Sequence, residues 1–295
     1  MTDSGIGIYS EKLGVESQSG LDILSKYKEA KLFSRGKYIP IRPLQALTDE
    51  GPYQFEVGSH TTTDVFMLKS LRLTVKFKIV NSDGTKLGAD ENVSIVNAVG
   101  HSLFENISVK LNDVPISDHA RLYPFKAFIQ QMYSFSNEVK NSNLNCEYFK
   151  KDDLTTSTTV DIASATADSA LGIRKGWVAE SKPLILSIVP YIDLMSTNHF
   201  LCPGHKVSLE FERTRSTFSL LAPTAKANAY KIKILDLVLW TRVLEPLPSI
   251  ANILEKSKSS GLVQYPLTRN VIRTYQVHSG ISRIKLNNIF RGILP

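Results

Sequence analysis

The histidines stand at His60, His101, His119, His199, His205 and His278, and their spacing decides which metal chemistry the chain could hold. A helical zinc site needs two imidazoles one turn apart with a carboxylate beside them, and no pair here has that spacing. Cys202 and His205, in "CPGH", put two donors on one turn, but no second pair at ligand spacing completes a tetrahedral set. "SKYK" at 25–28 matches the nucleophile motif S-x-x-K by letter, without its companion motifs. Asp152 and Asp153 adjoin in "KKDD", where a Lys-rich polar loop needs only water to explain two carboxylates. There is no G-x-S-x-G, no P-loop and no glycine-rich turn between a strand and a helix. No catalytic, cofactor-binding or metal-ligating residue, no cofactor and no enzymatic activity is expected of these residues. His101, on a predicted helix, reads as a hydrogen-bonded packing residue.

The elements that would position any site follow from hydrophobic period. "LRLTVKFKIV" alternates, with Leu71, Leu73, Val75, Phe77 and Ile79 on one face and Arg72, Thr74, Lys76 and Lys78 on the other, a half-exposed antiparallel strand. "NSDG" at 81–84 is a turn. "QFEVGS", "NISVKLND", "PLILSIVP", "KVSLEFER" and "STFSLLA" read as further strands, with Ile107, Val109 and Leu111, then Val207, Leu209 and Phe211, facing inward. The run from Tyr230 to Leu244 alternates and then turns apolar on both faces from Leu235 to Leu239, with a bulge expected near Asp236. Two segments carry a helical period instead. Ile95, Val99 and Leu103 recur every four residues, and Phe125, Phe128, Ile129, Met132 and Tyr133 follow the i, i+3, i+4, i+7, i+8 spacing behind Pro124.

Residues 1–50 show no sustained period and read as an N-terminal arm, with a short helix or strap in "LDILSKYKEAKLF" and an extended run around Pro40 and Pro43. Residues 155–170 hold 12 Ser, Thr or Ala in 16 positions, too little apolar surface to nucleate a core, so a surface loop is expected. The fold class is all-β, a jelly-roll or other sandwich with short inserted helices, rather than a βαβ fold.

Composition narrows the partners. Residues 171–295 carry 17 basic and 7 acidic side chains against 11 and 14 in residues 51–170, so most of the +7 net charge sits in the last third. Scattered single Lys and Arg fit a solvated face, and the alternative is an acidic partner or nucleic acid. A stacking platform needs aromatics among the bases, yet Phe77 shares its face with Leu and Val, so specific nucleic-acid binding is not expected. Cys146 and Cys202 are too few for a disulfide framework and suit a reducing compartment. No apolar run approaches the ~20 residues of a membrane span, and the first residues lack a secretory pattern. An intracellular site of synthesis is the expectation.

Several stretches, in order, resemble the major capsid proteins of Polinton (Maverick) elements and adintoviruses. These are "YIPIRPLQALTDEGPYQFEVGS", "VNAVGHSLFENISVKLND", "YPFKAFIQQMYSFSNEVKNSNL", "LCPGHKVSLEFERTRSTFSLL", "YKIKILDLVLWTRVLEPLPSI", "YPLTRNVIRTYQVHSG" and "NNIFRGILP". Together they cover most of residues 38–295. The resemblance implies a double jelly-roll fold, with trimers forming pseudo-hexagonal capsomers of an icosahedral virion. It divides the chain into an arm (1–50), a first jelly roll (51–245), a linker (246–261) and the opening strands of a second, incomplete jelly roll (262–295). The implied partners are the chain itself, neighbouring capsomers and a penton or minor capsid protein, after synthesis in the host cytoplasm or nucleus. The incomplete second half is consistent with a fragment, a truncated or domesticated gene, or completion by another chain. The alternative is a non-enzymatic β-sandwich binding module for carbohydrate, an acidic partner or nucleic acid.

Overall fold

The computed structural model describes residues 32–58, 64–117, 120–152, 162–163, 165–261, 263–277, 279–280 and 283. In chain order the strands are β1 (Phe33–Ile41), β2 (Tyr53–Gly58), β3 (Val65–Asn81), β4 (Ser94–Ile95), β5 (Phe104–Leu111), β6 (Val114–Ser117), β7 (Leu184–Ile188), β8 (Lys206–Arg213), β9 (Leu220–Leu221) and β10 (Tyr230–Pro246). The helices are α1 (Val99–Ser102), α2 (Tyr123–Ser134), α3 (Asn137–Asn141), α4 (Ala170–Val178), α5 (Ser216–Ser219) and α6 (Pro248–Ser260).

Two antiparallel four-stranded sheets face each other, in the orders β1-β10-β3-β7 and β2-β8-β5-β6, while β4 and β9 pair separately. With that small pair set aside, the eight remaining strands, counted along the chain, fall in the orders 1-8-3-6 and 2-7-4-5. That is the strand order of a jelly roll. The alternation in the sequence supplies the core between the sheets. Leu71, Leu73, Val75, Phe77 and Ile79 of β3 and Val207, Leu209 and Phe211 of β8 are buried as the period requires. Phe211 meets Phe55 and Phe104 edge-on, at ring-centroid distances of 5.6 and 5.1 Å.

The bulge expected near Asp236 is present, because the β10–β3 register shifts between Ile234 and Asp236. The Asp236 carboxylate accepts from the Leu237 amide at 3.0 Å and from Arg42 Nη1 at 2.5 Å, which pins the irregularity. At the β5–β6 hairpin, Asn112 and Asp113 both take positive φ (47° and 68°), the backbone of a tight two-residue turn.

Four expectations need correction. Part of the supposed arm is sheet: β1 pairs with β10 along its length and is the first strand of the jelly roll. Its sequence shows no period because it is an edge strand with most side chains in water, specified by the β10 ladder rather than by burial. The helix expected over Ile95 to Leu103 shrinks to the single turn α1, because Ile95 pairs with Leu220 and Ala98 takes a left-handed φ of 56°. "STFSLLA" splits into the helical turn α5 and the two-residue β9 rather than one strand. Residues 263–277 hold no assigned strand where the opening strands of a second jelly roll are expected, while the linker forms the short helix that its sequence allows, α6. The helix expected in "LDILSKYKEAKLF" and most of the Ser/Thr/Ala loop lie outside the described residues.

Candidate functional site

Three long connections of the jelly roll meet one another. They join β3 to β5 (carrying β4 and α1), β6 to β7 (carrying α2, α3 and α4) and β8 to β10 (carrying α5 and β9). The β4–β9 pairing ties the first to the third, and Ser219 Oγ donates to the Ser102 carbonyl at 2.9 Å. Gly100 is required where α1 crosses β7, since a Cβ there would lie 2.6 Å from Ile188 Cγ2 and 2.8 Å from Leu186 Cδ1.

Helix α2 lies in this cluster with its polar side inward. Tyr123, Lys126, Ala127 and Gln131 are buried. Lys126 Nζ donates to Asp193 Oδ1 at 2.7 Å, with both side chains almost fully enclosed. Gln131 Nε2 donates to Glu147 Oε2 at 2.8 Å, and the Tyr123 hydroxyl lies 2.9 Å from His101 Nδ1. The apolar stripe found in the sequence therefore points the other way. Phe125, Phe128 and Ile129 are 48, 46 and 46% exposed, and Tyr133 is 88% exposed. Phe125 meets Phe218 of α5, itself 42% exposed, edge-on at 5.7 Å, so the stripe continues onto the neighbouring connection. A helix at the surface of a globular protein normally buries such a stripe. The periodicity identified the residues and gave no sign of this orientation.

The cluster also contains a Glu–His–Tyr series. The Tyr123 hydroxyl accepts from the Tyr191 amide at 3.4 Å, and burial pushes its pKa far above the usual phenol value. On the far side of the ring, His101 Nε2 lies 3.6 Å from Glu147 Oε2. His101 and Tyr123 are both sealed from solvent, so a substrate would have no route to the ring. The series joins α1, α2 and the 3-10 turn at Asn143–Glu147, the packing role expected of His101.

The other motifs are placed as follows. Asp152 is more than a solvated acid: its Oδ1 accepts from Arg174 Nη2 at 2.8 Å, and the Arg174 guanidinium is buried. Asp153 lies outside the described residues. "CPGH" is a turn with Gly204 at φ +80°, and the Cys202 amide donates to the Tyr265 hydroxyl at 3.0 Å, which ties residues 263–277 to the sandwich. Asn270 adds to this attachment, its amide donating to Asp193 Oδ2 at 3.2 Å. His199 is exposed and His205 half-buried, and His60, His119 and His278 lie outside the described residues. Among the described residues no three His, Cys, Asp or Glu side chains gather at metal distance. No helix among them is long and apolar enough to cross a membrane. The basic last third contributes Lys233 and Arg242 to the outward face of the β1-β10-β3-β7 sheet, where Lys233 stands opposite Lys78.

No protein-family model matches the chain. It is 22% identical over 259 residues to the uncharacterized protein F54H12.2 of Caenorhabditis elegans, covering 85% of this chain and 58% of that protein. Among solved structures, a chain in the cryo-EM structure of the Sputnik virophage aligns with a TM-score of 0.51 at 10% identity, over 84% of this chain and 55% of that one. The Faustovirus major capsid protein aligns at 0.45 and 8% identity, over 79% and 58%. The PBCV-1 virus capsid aligns at 0.46 and 10% identity, over 79% and 47%. The chain thus spans roughly half of each protein it resembles. Its strand order and the virophage likeness together give it the fold of a capsid-type jelly-roll sandwich.

Proposed function

We propose that this chain is a structural subunit of an icosahedral viral or virus-like capsid, of the kind built by the major capsid proteins of Polinton elements and adintoviruses. The observation that carries the proposal is the complete eight-stranded jelly roll between Phe33 and Pro246, in the strand order 1-8-3-6 and 2-7-4-5. The fold likeness to a virophage chain supports it. A sandwich of this kind acts by geometry: two sheets packed through buried residues such as Leu73, Val75 and Phe77 of β3 and Val207, Leu209 and Phe211 of β8 form a rigid block, and the long connections supply contacts to neighbours. Residues 33–246 are the first jelly roll, and residues 262–295 belong to a second. Three chains form a pseudo-hexagonal capsomer, which contacts neighbouring capsomers and a penton or minor capsid protein within the virion. The role is non-enzymatic.

The test is the mass of the 295-residue chain by light scattering at low and high salt. A salt-resistant species of three times the 32.9 kDa chain mass is expected, since obligate interfaces bury roughly 2,000 Å² or more, much of it apolar. A monomer at every concentration overturns the capsomer.

A further inference from the structure

We infer that the outward stripe of α2, with Phe218 beside it, is a contact surface for a second copy of this chain. The inference rests on the capsid reading and names the surface through which that assembly is held.

Three observations lead to it. First, the orientation of α2 is built rather than incidental. The Lys126–Asp193 pair and the Gln131–Glu147 hydrogen bond both require the polar side of the helix to face the sandwich. With that side fixed inward, Phe125, Phe128, Ile129 and Tyr133 face out, and Met132 at the edge of the stripe is half-buried. Second, the stripe has the composition of an interface centre. Phe125, Phe128, Ile129, Tyr133 and Phe218 carry no charge, and aromatic residues are the side chains that interface cores favour. The exposed side chains around it, Ser134, Asn137, Glu138, Arg215 and Thr217, are polar and suit a rim.

Third, the size fits a partner of the same scale. Aromatic side chains present ~150–250 Å² each, so at the observed exposures the five residues leave roughly 500 Å² of mostly apolar surface in water. That is the upper range of the largest apolar patch on a typical monomer, and more than half of the ~800 Å² that each partner contributes to a standard interface. The exposed polar rim adds to that area. Around a threefold axis the stripe of one copy meets its neighbour head to tail, a contact that closes into a ring rather than a filament.

The test is sedimentation velocity on the full 295-residue chain, comparing the wild type with Phe128→Lys/Tyr133→Glu. Both side chains point to solvent, so the variant is expected to keep the wild-type circular dichroism and melting temperature while the oligomer is lost. An oligomeric wild type and an equally oligomeric, folded variant overturn this inference and leave the capsid reading standing on other surfaces. A wild type that stays monomeric overturns both. If the double variant misfolds, Tyr133→Cys in a Cys146→Ser background reads the same contact, by site-resolved maleimide labelling. The introduced thiol should label more slowly by an order of magnitude in the oligomer fraction than in the monomer fraction, and equal rates overturn the inference.

Discussion

Breaking the Lys126–Asp193 pair from one side should be far more damaging than replacing both partners. The side chains are 4 and 6% exposed and 2.7 Å apart, so neither charge can turn to water when the other is removed. Deleting one member of a buried pair typically costs about 3–5 kcal/mol, whereas an apolar pair of similar volume is about neutral or stabilising. At ~2–4 °C per kcal/mol for a domain of this size, Lys126→Met or Asp193→Leu should each lower the melting temperature by roughly 6–20 °C. Asp193→Leu should cost more than Lys126→Met by about 1 kcal/mol, because Asp193 also holds the Asn270 amide and, at 3.4 Å, its side-chain Nδ2. The double variant should return most of the loss. Thermal unfolding followed by circular dichroism on the four proteins closes the cycle and gives the coupling directly. Two single variants that each cost under ~1 kcal/mol and simply add would refute the reasoning. That result would mean that water reaches the pair and that it does not fix the orientation of α2.

Acid should weaken the attachment of the β3–β5 connection at Glu91. Hydrogen bonding from the Tyr230 hydroxyl, and then from Lys226 Nζ at 3.2 Å, holds the Glu91 carboxyl below its ordinary pKa, while burial and the same contact push the Tyr230 phenol up to about 12. A carboxylate lowered in this way stabilises the fold fully above its unfolded value of about 4.3, and the contribution is lost as pH falls through the lower folded value. The melting-temperature gap between wild type and Glu91→Gln should therefore be open at neutral pH and close below about pH 4, and a gap that persists in acid contradicts the assignment. Gly100→Ala should destabilise by about 1–3 kcal/mol, since its methyl would fall 2.6 Å from Ile188 Cγ2, and a denaturant midpoint equal to wild type would show that α1 and β7 can part without strain.

The sandwich was legible wherever one face of a strand is buried. Burial on one side forces a period of two, and in β3 and β8 each inward residue named from the alternation lies in the core. The Asp236 bulge was legible for the same reason, since an extra residue breaks the period where a polar side chain enters an apolar run. The first strand of the jelly roll was not. β1 lies at a sheet edge, with Arg35, Gly36 and Pro40 in water and only Ile39 and Ile41 turned toward the core, so its hydrogen bonds to β10, some two hundred residues away, do most to specify it. Helix α4 was missed for a related reason. Its signal is the cap at Ser169, whose Oγ accepts from the Gly172 amide at 3.0 Å, and that residue sits at the end of a Ser/Thr/Ala run whose composition argues for a loop.

The stripe on α2 shows what periodicity can and cannot settle. A period of 3.6 establishes that Phe125, Phe128, Ile129 and Tyr133 share a face, but it says nothing about what covers that face. Burial was the natural inference, because in an isolated domain the apolar side is the one with most to gain from leaving water. The competing signal was present in Lys126 and Gln131 on the opposite side of the same helix, yet their partners come from far along the chain. Asp193 is 67 residues beyond Lys126, and Glu147 is 16 beyond Gln131. Only the jelly-roll topology, which brings the connection before β7 and the turn after it against the same helix, pairs those groups and so makes the polar side the inward one. A stripe that is apolar, aromatic and turned outward by a buried ion pair is hard to explain as the surface of a solitary domain. It becomes reasonable when the domain's final neighbours include another copy of itself.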